Sequence, residues 1–389
     1  MKSSRINWKH TFLAFLLLGG AVFACEPVEE TEVRIFPENV IKSEAVNFQL
    51  DTISSDFFVP FGMDWLPDGR MLVTERPEGK LSLLDPATGV VEEVCNLPPV
   101  HQRKYVGMMD VLVHPKYDEN GWIYLAYTVG RVDSATTTAV DRMKLKGNCL
   151  EERERLFLAQ PYYKTGDHYG CRLLIRDDYL FFSIGDRLTR DSAQSLSTHN
   201  GKIIRLHDDG RIPTDNPFLD YPHARPEIWS YGHRNQQGMD FHPLTGELWI
   251  HEHGPKGGDE INIARPGRNY GWPIITYGEE YAGGPVGNGW TYKQGMEQPV
   301  YYYVPSIAPS GMIFYTADQF PEWEGDIFLG AMAGRHLNRL VLEGGEVVKE
   351  ERLLEDFHWR IRCVKQGPDG ALYLAIDQGM ILRMRAISE

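Results

Sequence analysis

The stretch Thr165-Gly166-Asp167-His168-Tyr169-Gly170 sets a histidine just ahead of an apolar run, and Ser183-Ile184-Gly185-Asp186-Arg187 closes the next one. If the two runs are paired strands, their ends return to one rim and a carboxylate meets an imidazole. An acid that orients the ring and stabilises its protonated form makes a minimal general base. A loop histidine satisfied by its own hydrogen bonds is the competing reading. Other polar groups recur at comparable places: Gln194, Tyr231-Gly232-His233-Arg234-Asn235 and Arg360-Ile361-Arg362. Arg234 and Asn235 offer a guanidinium and an amide to a polar ligand. Arg360 and Arg362 share one face of an extended chain, and guanidinium forks favour carboxylates. Pairing of these arginines with carboxylates of their own scaffold is equally open.

Residues 249–273, WIHEHGPKGGDEINIARPGRNYGWP, begin as a strand and break into a glycine-dense loop. The loop carries His251, His253, Glu252, Asp259, Glu260 and the run Asn269-Tyr270-Gly271-Trp272-Pro273. Glycine and proline at this density hold backbone carbonyls in fixed directions, and hard cations such as calcium take carboxylate and carbonyl oxygens. An irregular surface loop is the plain alternative, although long loops on rigid scaffolds often carry function.

The elements that must position these groups repeat. Gly62-Met63-Asp64-Trp65-Leu66-Pro67-Asp68-Gly69 and Gly238-Met239-Asp240-Phe241-His242-Pro243 are the clearest copies of a strand–turn–strand unit, and others begin at Met109, Cys171, Ser310 and Arg362. Six such units, spaced by roughly 45 to 75 residues with almost no helical periodicity, predict an all-β fold, a six-bladed β-propeller with four-stranded blades. Residues 46–58 are expected to add an outer strand that closes the ring with the last unit. In such a ring the loops entering the inner strands gather at one mouth of a central channel, so His168, Arg234, Asn235, Arg360 and Arg362 converge there.

The chain has 389 residues with 42% hydrophobic content, ample for a large core, and a net charge of −14. That charge excludes non-specific nucleic-acid binding, and an anionic ligand would need a local cluster of arginine or lysine. Lys2, Arg5, Lys9 and His10 precede an apolar run that ends Val22-Phe23-Ala24-Cys25. Residues 1–24 therefore read as a secretory signal. Cys25 after the small residue resembles a lipobox, which makes the signal of lipoprotein type with Cys25 as the lipid anchor; plain secretion is the alternative. Residues 25–45 read as an acidic tether and residues 46–389 as the propeller. The expected location is exported, periplasmic or cell-surface, on a membrane anchor. Cys95, Cys149, Cys171 and Cys363 show no metal-ligand spacing; disulfides and buried thiols both remain open.

Taken together, Gly166-Asp167-His168 with Gly185-Asp186-Arg187, Tyr231-Gly232-His233-Arg234-Asn235, Glu252-His253-Gly254-Pro255 with Gly258-Asp259-Glu260-Ile261-Asn262, Asn269-Tyr270-Gly271-Trp272-Pro273, Ala308-Pro309-Ser310-Gly311 and Arg360-Ile361-Arg362 resemble the soluble pyrroloquinoline-quinone (PQQ)-dependent sugar dehydrogenases, and among them the aldose sugar dehydrogenase branch. The resemblance implies oxidation of aldose sugars at C1 to the lactone, with hydride transfer to PQQ and electrons passed to an external acceptor. It implies His168 as general base oriented by Asp186, with Arg234 at the substrate. It places Gln194, Asn235, His253, Arg360 and Arg362 around the cofactor. The carbonyls of Gly254 and Pro255 would ligate a Ca2+ that bridges to the quinone, and Glu260 with the Tyr270 carbonyl would hold a second, structural Ca2+. A lysine that the glucose-specific branch uses on the quinone is absent from Ala331-Met332-Ala333-Gly334-Arg335-His336, where Arg335 is the candidate replacement. Two other functions stand beside this one: a cofactor-less propeller that binds carbohydrate or protein, and a calcium-dependent propeller lactonase. Retention of His168, Asp186 and the arginines speaks against the first, and the cationic cluster has no task in the second.

Overall fold

The computed structural model describes residues 40–102 and 106–387. The segment read as a signal, the anchor Cys25 and most of the tether lie outside them. Six antiparallel sheets of four strands each form the blades, and the last carries a fifth short strand. The inner strands are Pro60–Trp65, Met108–Val113, Gly170–Arg176, Gln236–Phe241, Pro309–Phe314 and Ile361–Gln366. They define blades 1 to 6. Apolar side chains on both faces of each sheet meet those of its neighbours, so Phe61, Met109, Phe157, Leu173 and Phe182 form one cluster across blades 1 to 3. Phe48, Trp323, Phe328, Leu353 and Leu374 do the same for blades 5 and 6. A strand covered on both faces reads as a continuous apolar run, and every residue of Met108–Val113 is buried.

The repeated Met-Asp steps of the inner strands have a mechanical task. Asp64, Asp110 and Asp240 each accept a backbone N–H from the next blade's inner strand, at Val113 (2.7 Å), Leu173 (2.9 Å) and Phe314 (2.8 Å). All six inner strands also carry a register shift just past their entering end, for example between Met108 and Asp110 and between Ile361 and Cys363. Such bulges turn a side chain or carbonyl away from the ladder. Here they aim Phe61, Met109, Arg172, Gln237 and Arg362 at the ring axis.

Arg172 fills that axis. From blade 3 it donates Nε–H to the Gln237 carbonyl (2.8 Å), Nη1–H to the Phe61 carbonyl (2.9 Å) and Nη2–H to the Arg362 carbonyl (2.9 Å). Its Nη1 also lies 3.4 Å from Asp110. The guanidinium packs over the Phe61 ring. One side chain thus joins blade 3 to blades 1, 2, 4 and 6.

The ring closes as expected. Asn47–Ser54 pairs with Met380–Ala386, with Phe48 opposite Ala386, and Asp51 accepts from Arg383 and Arg385. Ile41–Lys42, within the stretch read as tether, adds the fifth strand against Asn47 and Phe48. A disulfide joins Cys95, after blade 1's last strand, to Cys149 on the outer strand of blade 2. Cys171 and Cys363 are free and buried.

Replacing Arg172 with Met should leave three axial carbonyls and Asp110 without their cationic donor. The expected cost is about 3–5 kcal/mol, a drop of about 5 °C in melting temperature for a chain of this size. An unchanged melting temperature would show that the blades cohere without the axial cation.

Candidate active site

The entering ends of the inner strands surround a cavity of about 300 Å3 lined by Phe61, Arg76, His168, Asn235, His253 and Arg362 among others. His168 reaches it from a left-handed backbone conformation, as do Arg187 and Leu188 on the facing loop. Non-glycine residues hold that conformation only where their surroundings over-determine it. Gly185 allows the approach, since a Cβ there would lie 2.2 Å from the His168 carbonyl oxygen. Arg187 braces the histidine loop by donating to the carbonyls of Thr136, Thr165 and Asp167 while stacked on Tyr169.

His168 Nδ1 lies 2.7 Å from Asp186 Oδ1. The same carboxylate accepts the Leu188 N–H at 2.9 Å and, through Oδ2, the Trp272 indole N–H at 2.7 Å. Burial opposes its charge, but the hydrogen bond and charge of His168, then Arg234, hold the carboxyl below its ordinary range. A carboxylate only accepts, so in the neutral ring Nδ1 carries the proton and Nε2 carries none.

The other histidine of the cavity is of a different kind. His253 donates Nε2–H to the Pro309 carbonyl at 2.7 Å, and burial pulls its pKa down to about 3. It stays neutral. Asn235 Oδ1 accepts from Gly170 N–H and from the Gln237 amide, which leaves its own amide N–H groups to donate. Arg234 donates to the His253 carbonyl, and its buried Nε has no partner among the described residues.

The late arginines pair with a carboxylate of their own scaffold. Arg360 and Arg362 share Asp377, with Arg362 bidentate at 2.9 Å on each oxygen, and Arg362 also edges the cavity. One carboxylate for two guanidiniums leaves positive charge over. Arg76, which no motif singled out, adds to it. Its Nε has no partner among the described residues, and burial, then the charge of Arg362, pulls its pKa down to about 9. This donor set fits an anionic ligand with several carboxylates.

Gln194 is placed otherwise than expected. It stands at the end of the short helix Arg190–Gln194, and its amide exchanges hydrogen bonds with Asn269 (3.0 and 2.8 Å) and donates to the Trp272 carbonyl (2.7 Å). It is not among the residues lining the cavity, and both its amide N–H groups are already donated within the protein. Arg360 is not among the lining residues, and Arg335 is exposed.

Beside the cavity lies a space of about 10 Å3, on the scale of one ion or water, bordered by Arg234, Glu252, His253, Gly254, Glu260 and Tyr270. Glu252 and Glu260 are cross-strand partners. Like charges directly opposite repel, and burial, then Glu252, pushes the Glu260 pKa up to about 8. Glu252 is held by the His233 ring at 2.9 Å. The Gly254 turn is anchored by Asp259, which accepts Gly254 N–H at 2.9 Å and, on its other oxygen, Ser306 and Ala308. Glycine is required at 254, where a Cβ would meet the Gly257 carbonyl oxygen at 2.2 Å. A buried, directly opposed carboxylate pair beside a rigid carbonyl turn fits a hard cation. The group His114, Asp178 and Asp208, at the other end of the inner strands, does not. His114 Nδ1 already accepts from Lys116 N–H and Asn120 at 2.9 Å, so Nε2 keeps its proton and points it at Asp208.

The pattern described as Glucose / Sorbosone dehydrogenase matches residues 57–383. Aldose sugar dehydrogenase YliI of Escherichia coli (strain K12) is 39% identical over 325 residues, 82% of this chain and 87% of that protein. The apo crystal structure of the soluble Escherichia coli aldose sugar dehydrogenase superposes with a TM-score of 0.84 at 36% identity, covering 87% of this chain and 100% of the other. The PQQ-bound aldose sugar dehydrogenase of Streptomyces coelicolor gives a TM-score of 0.71 at 25% identity, over 87% and 98% of the two chains.

Glu260 yields a pH prediction. Between its ordinary 4.5 and about 8 the folded chain holds a proton that the unfolded chain has released, so stability falls as pH rises through that window. With divalent cations chelated, the melting temperature should decline from about pH 5 to about pH 8. Millimolar Ca2+ should remove that decline, and Glu260→Gln should flatten it without calcium. A flat wild-type profile would show that the pair retains no proton.

Proposed function

The chain belongs to the glucose/sorbosone dehydrogenase family, and within it we propose that the protein oxidises aldose sugars at C1 to the lactone, using PQQ and Ca2+ and passing the electrons to an external acceptor. The observation that carries this reading is the His168–Asp186 pair, its imidazole open to a cavity whose other walls hold surplus guanidinium charge. When bound, the quinone with its calcium supplies a polarised two-electron acceptor. His168 Nε2 takes the proton of the anomeric hydroxyl as the C1 hydride leaves, and C1 becomes the lactone carbonyl. Asp186 keeps the ring in the basic tautomer and stabilises the imidazolium that results. Arg362 and Arg76, with Arg360 behind them, would hold the cofactor's carboxylates, with Asn235 donating from the opposite wall. Arg234 would face the substrate, and the neutral His253 would pack against the quinone without adding charge.

The carbonyls of Gly254 and Pro255 would ligate the cofactor's calcium, and Glu260, the Tyr270 carbonyl and Glu252 a second ion. An exported protein anchored through Cys25 is part of the same proposal. The Cys95–Cys149 disulfide supports it, since disulfides persist mainly in oxidising compartments.

Apoprotein given PQQ and Ca2+ should reduce an acceptor dye with one or more aldoses. A chain that retains no quinone absorbance and gives no turnover would instead be a binding module. His168→Ala should lower kcat about a hundredfold or more and leave quinone affinity unchanged; unaltered turnover would remove His168 from the mechanism. Arg76→Gln should weaken quinone binding, followed by absorbance titration, by about 1.5 kcal/mol or more, roughly tenfold.

A further inference from the structure

We propose that Trp272 is a positioning residue for proton abstraction: its indole N–H completes the Asp186 carboxylate, and Gln194 clamps Trp272 in the orientation that makes this possible. The inference rests on His168 being the base. Three donors converge on Asp186, and each has a separate origin. His168 comes from the loop ahead of blade 3, Leu188 N–H from the turn after Asp186, and Trp272 from the long connection between Asp259–Ile263 and Tyr301–Tyr303. Among the described residues only the indole serves Oδ2. Without it a fully buried oxygen would lack a partner, and the carboxylate could rotate to bring Oδ2 against the imidazole.

The placement of Trp272 is built rather than incidental. The ring is 4% exposed and packs against Ala193 and Val286. Arg190 and Arg234 lie over it at 5.3 and 5.2 Å. Its backbone N–H donates to the Gly232 carbonyl at 2.8 Å, and its own carbonyl accepts from Gln194 at 2.7 Å. Gly232 makes room for the clamp, because a Cβ there would sit 2.1 Å from Asn269 Oδ1 and 2.9 Å from Gln194 Nε2. This assigns Gln194 a task that its engaged amide can perform. It steadies the base through Trp272 and Asp186, at one remove from any ligand.

The charged groups facing the pair are few. Arg234 acts on Asp186, Arg76, His253 and Arg362 line the same cavity as His168, Asp167 and Arg187 belong to the flanking loops, and Arg190 pairs with Glu280 beyond the indole. None of them donates to Oδ2. Loss of the indole N–H makes the carboxylate more basic, which strengthens its hold on the imidazolium and shifts the acid limb of kcat/KM toward higher pH.

The test is a double-mutant cycle on the reconstituted enzyme with Trp272→Phe, which keeps a ring and removes the N–H, and Asp186→Asn. Trp272→Phe alone should lower kcat about tenfold or more, leave KM within about twofold, and move the acid limb upward. In the Asp186→Asn background the same change should alter kcat by less than about threefold, since groups acting through one another are not additive. Additive losses, or a Trp272→Phe enzyme with the wild-type profile, would overturn the proposal. Should Trp272→Phe fail to fold, the indole 1H–15N resonances of the wild-type apoprotein decide. One must shift markedly on Asp186→Asn, and none shifting overturns the contact. His168→Ala separates the two levels: full activity there defeats the base assignment itself, whereas a large loss there with an additive cycle defeats only the role of Trp272.

Discussion

A ring of six sheets has to do something with its axis, and here it places one guanidinium there. The bulges that turn Phe61, Gln237 and Arg362 out of their ladders leave carbonyls facing the centre. Arg172 answers all three with a rigid fork of donors, and Asp110 keeps the charge balanced. Lysine would be a poor substitute, since a single ammonium on a flexible stem cannot address separated carbonyls in fixed directions. The Arg172 fork is also a floor. Above it lie Arg76, Arg362 and His168; below it lie Asp64, Asp240 and Lys365.

The two ends of the channel therefore differ in character. At the exit end, carboxylates are tied to backbone N–H groups of the neighbouring blade, and Asp64 lies 4.0 Å from Lys365. At the entering end, guanidiniums outnumber the carboxylates that face them, in a chain whose overall charge is −14. The fold alone calls for no such excess of cations. A scaffold that needed only blade cohesion could pair each arginine, as it does with Arg339 between Asp326 and Glu351. Arg76 with an orphaned Nε and Arg360 sharing Asp377 with Arg362 mark the rim that is made for something else.

Much of this was legible in the chain. The six units and their all-β character follow from alternation and turn residues, and the recurring Asp at 64, 110 and 240 is visible because each copy performs the same inter-blade stitch. His168 and Asp186 could be paired on paper, since the two strands between them are joined by a tight turn at Asp177-Asp178. What stayed hidden has a common cause. A bulge reverses the face that simple alternation assigns, so Arg172 looks like any strand arginine until its strand is seen to slip between Gly170 and Leu173. Trp272 and Asp186 come from distant loops, and nothing local ties them. Glu252 and Glu260 stand in plain view within one stretch, yet their direct opposition needs the register of Leu248–Glu252 on Asp259–Ile263. The hydrogen bonds of Gln194 to Asn269 and Trp272 likewise join segments that nothing local in the sequence connects.

The strand Asn47–Ser54 completes the blade that Met380–Ala386 belongs to. The first part of the propeller to be synthesised thus waits for the last, and until residue 386 exists no closed ring can form. Local hairpins can appear early, but the joint that locks them spans nearly the whole polypeptide, which makes completion slow and late. Whatever forms earlier stays an open arc, and it is topology alone that makes the chain's two ends the last pieces to meet.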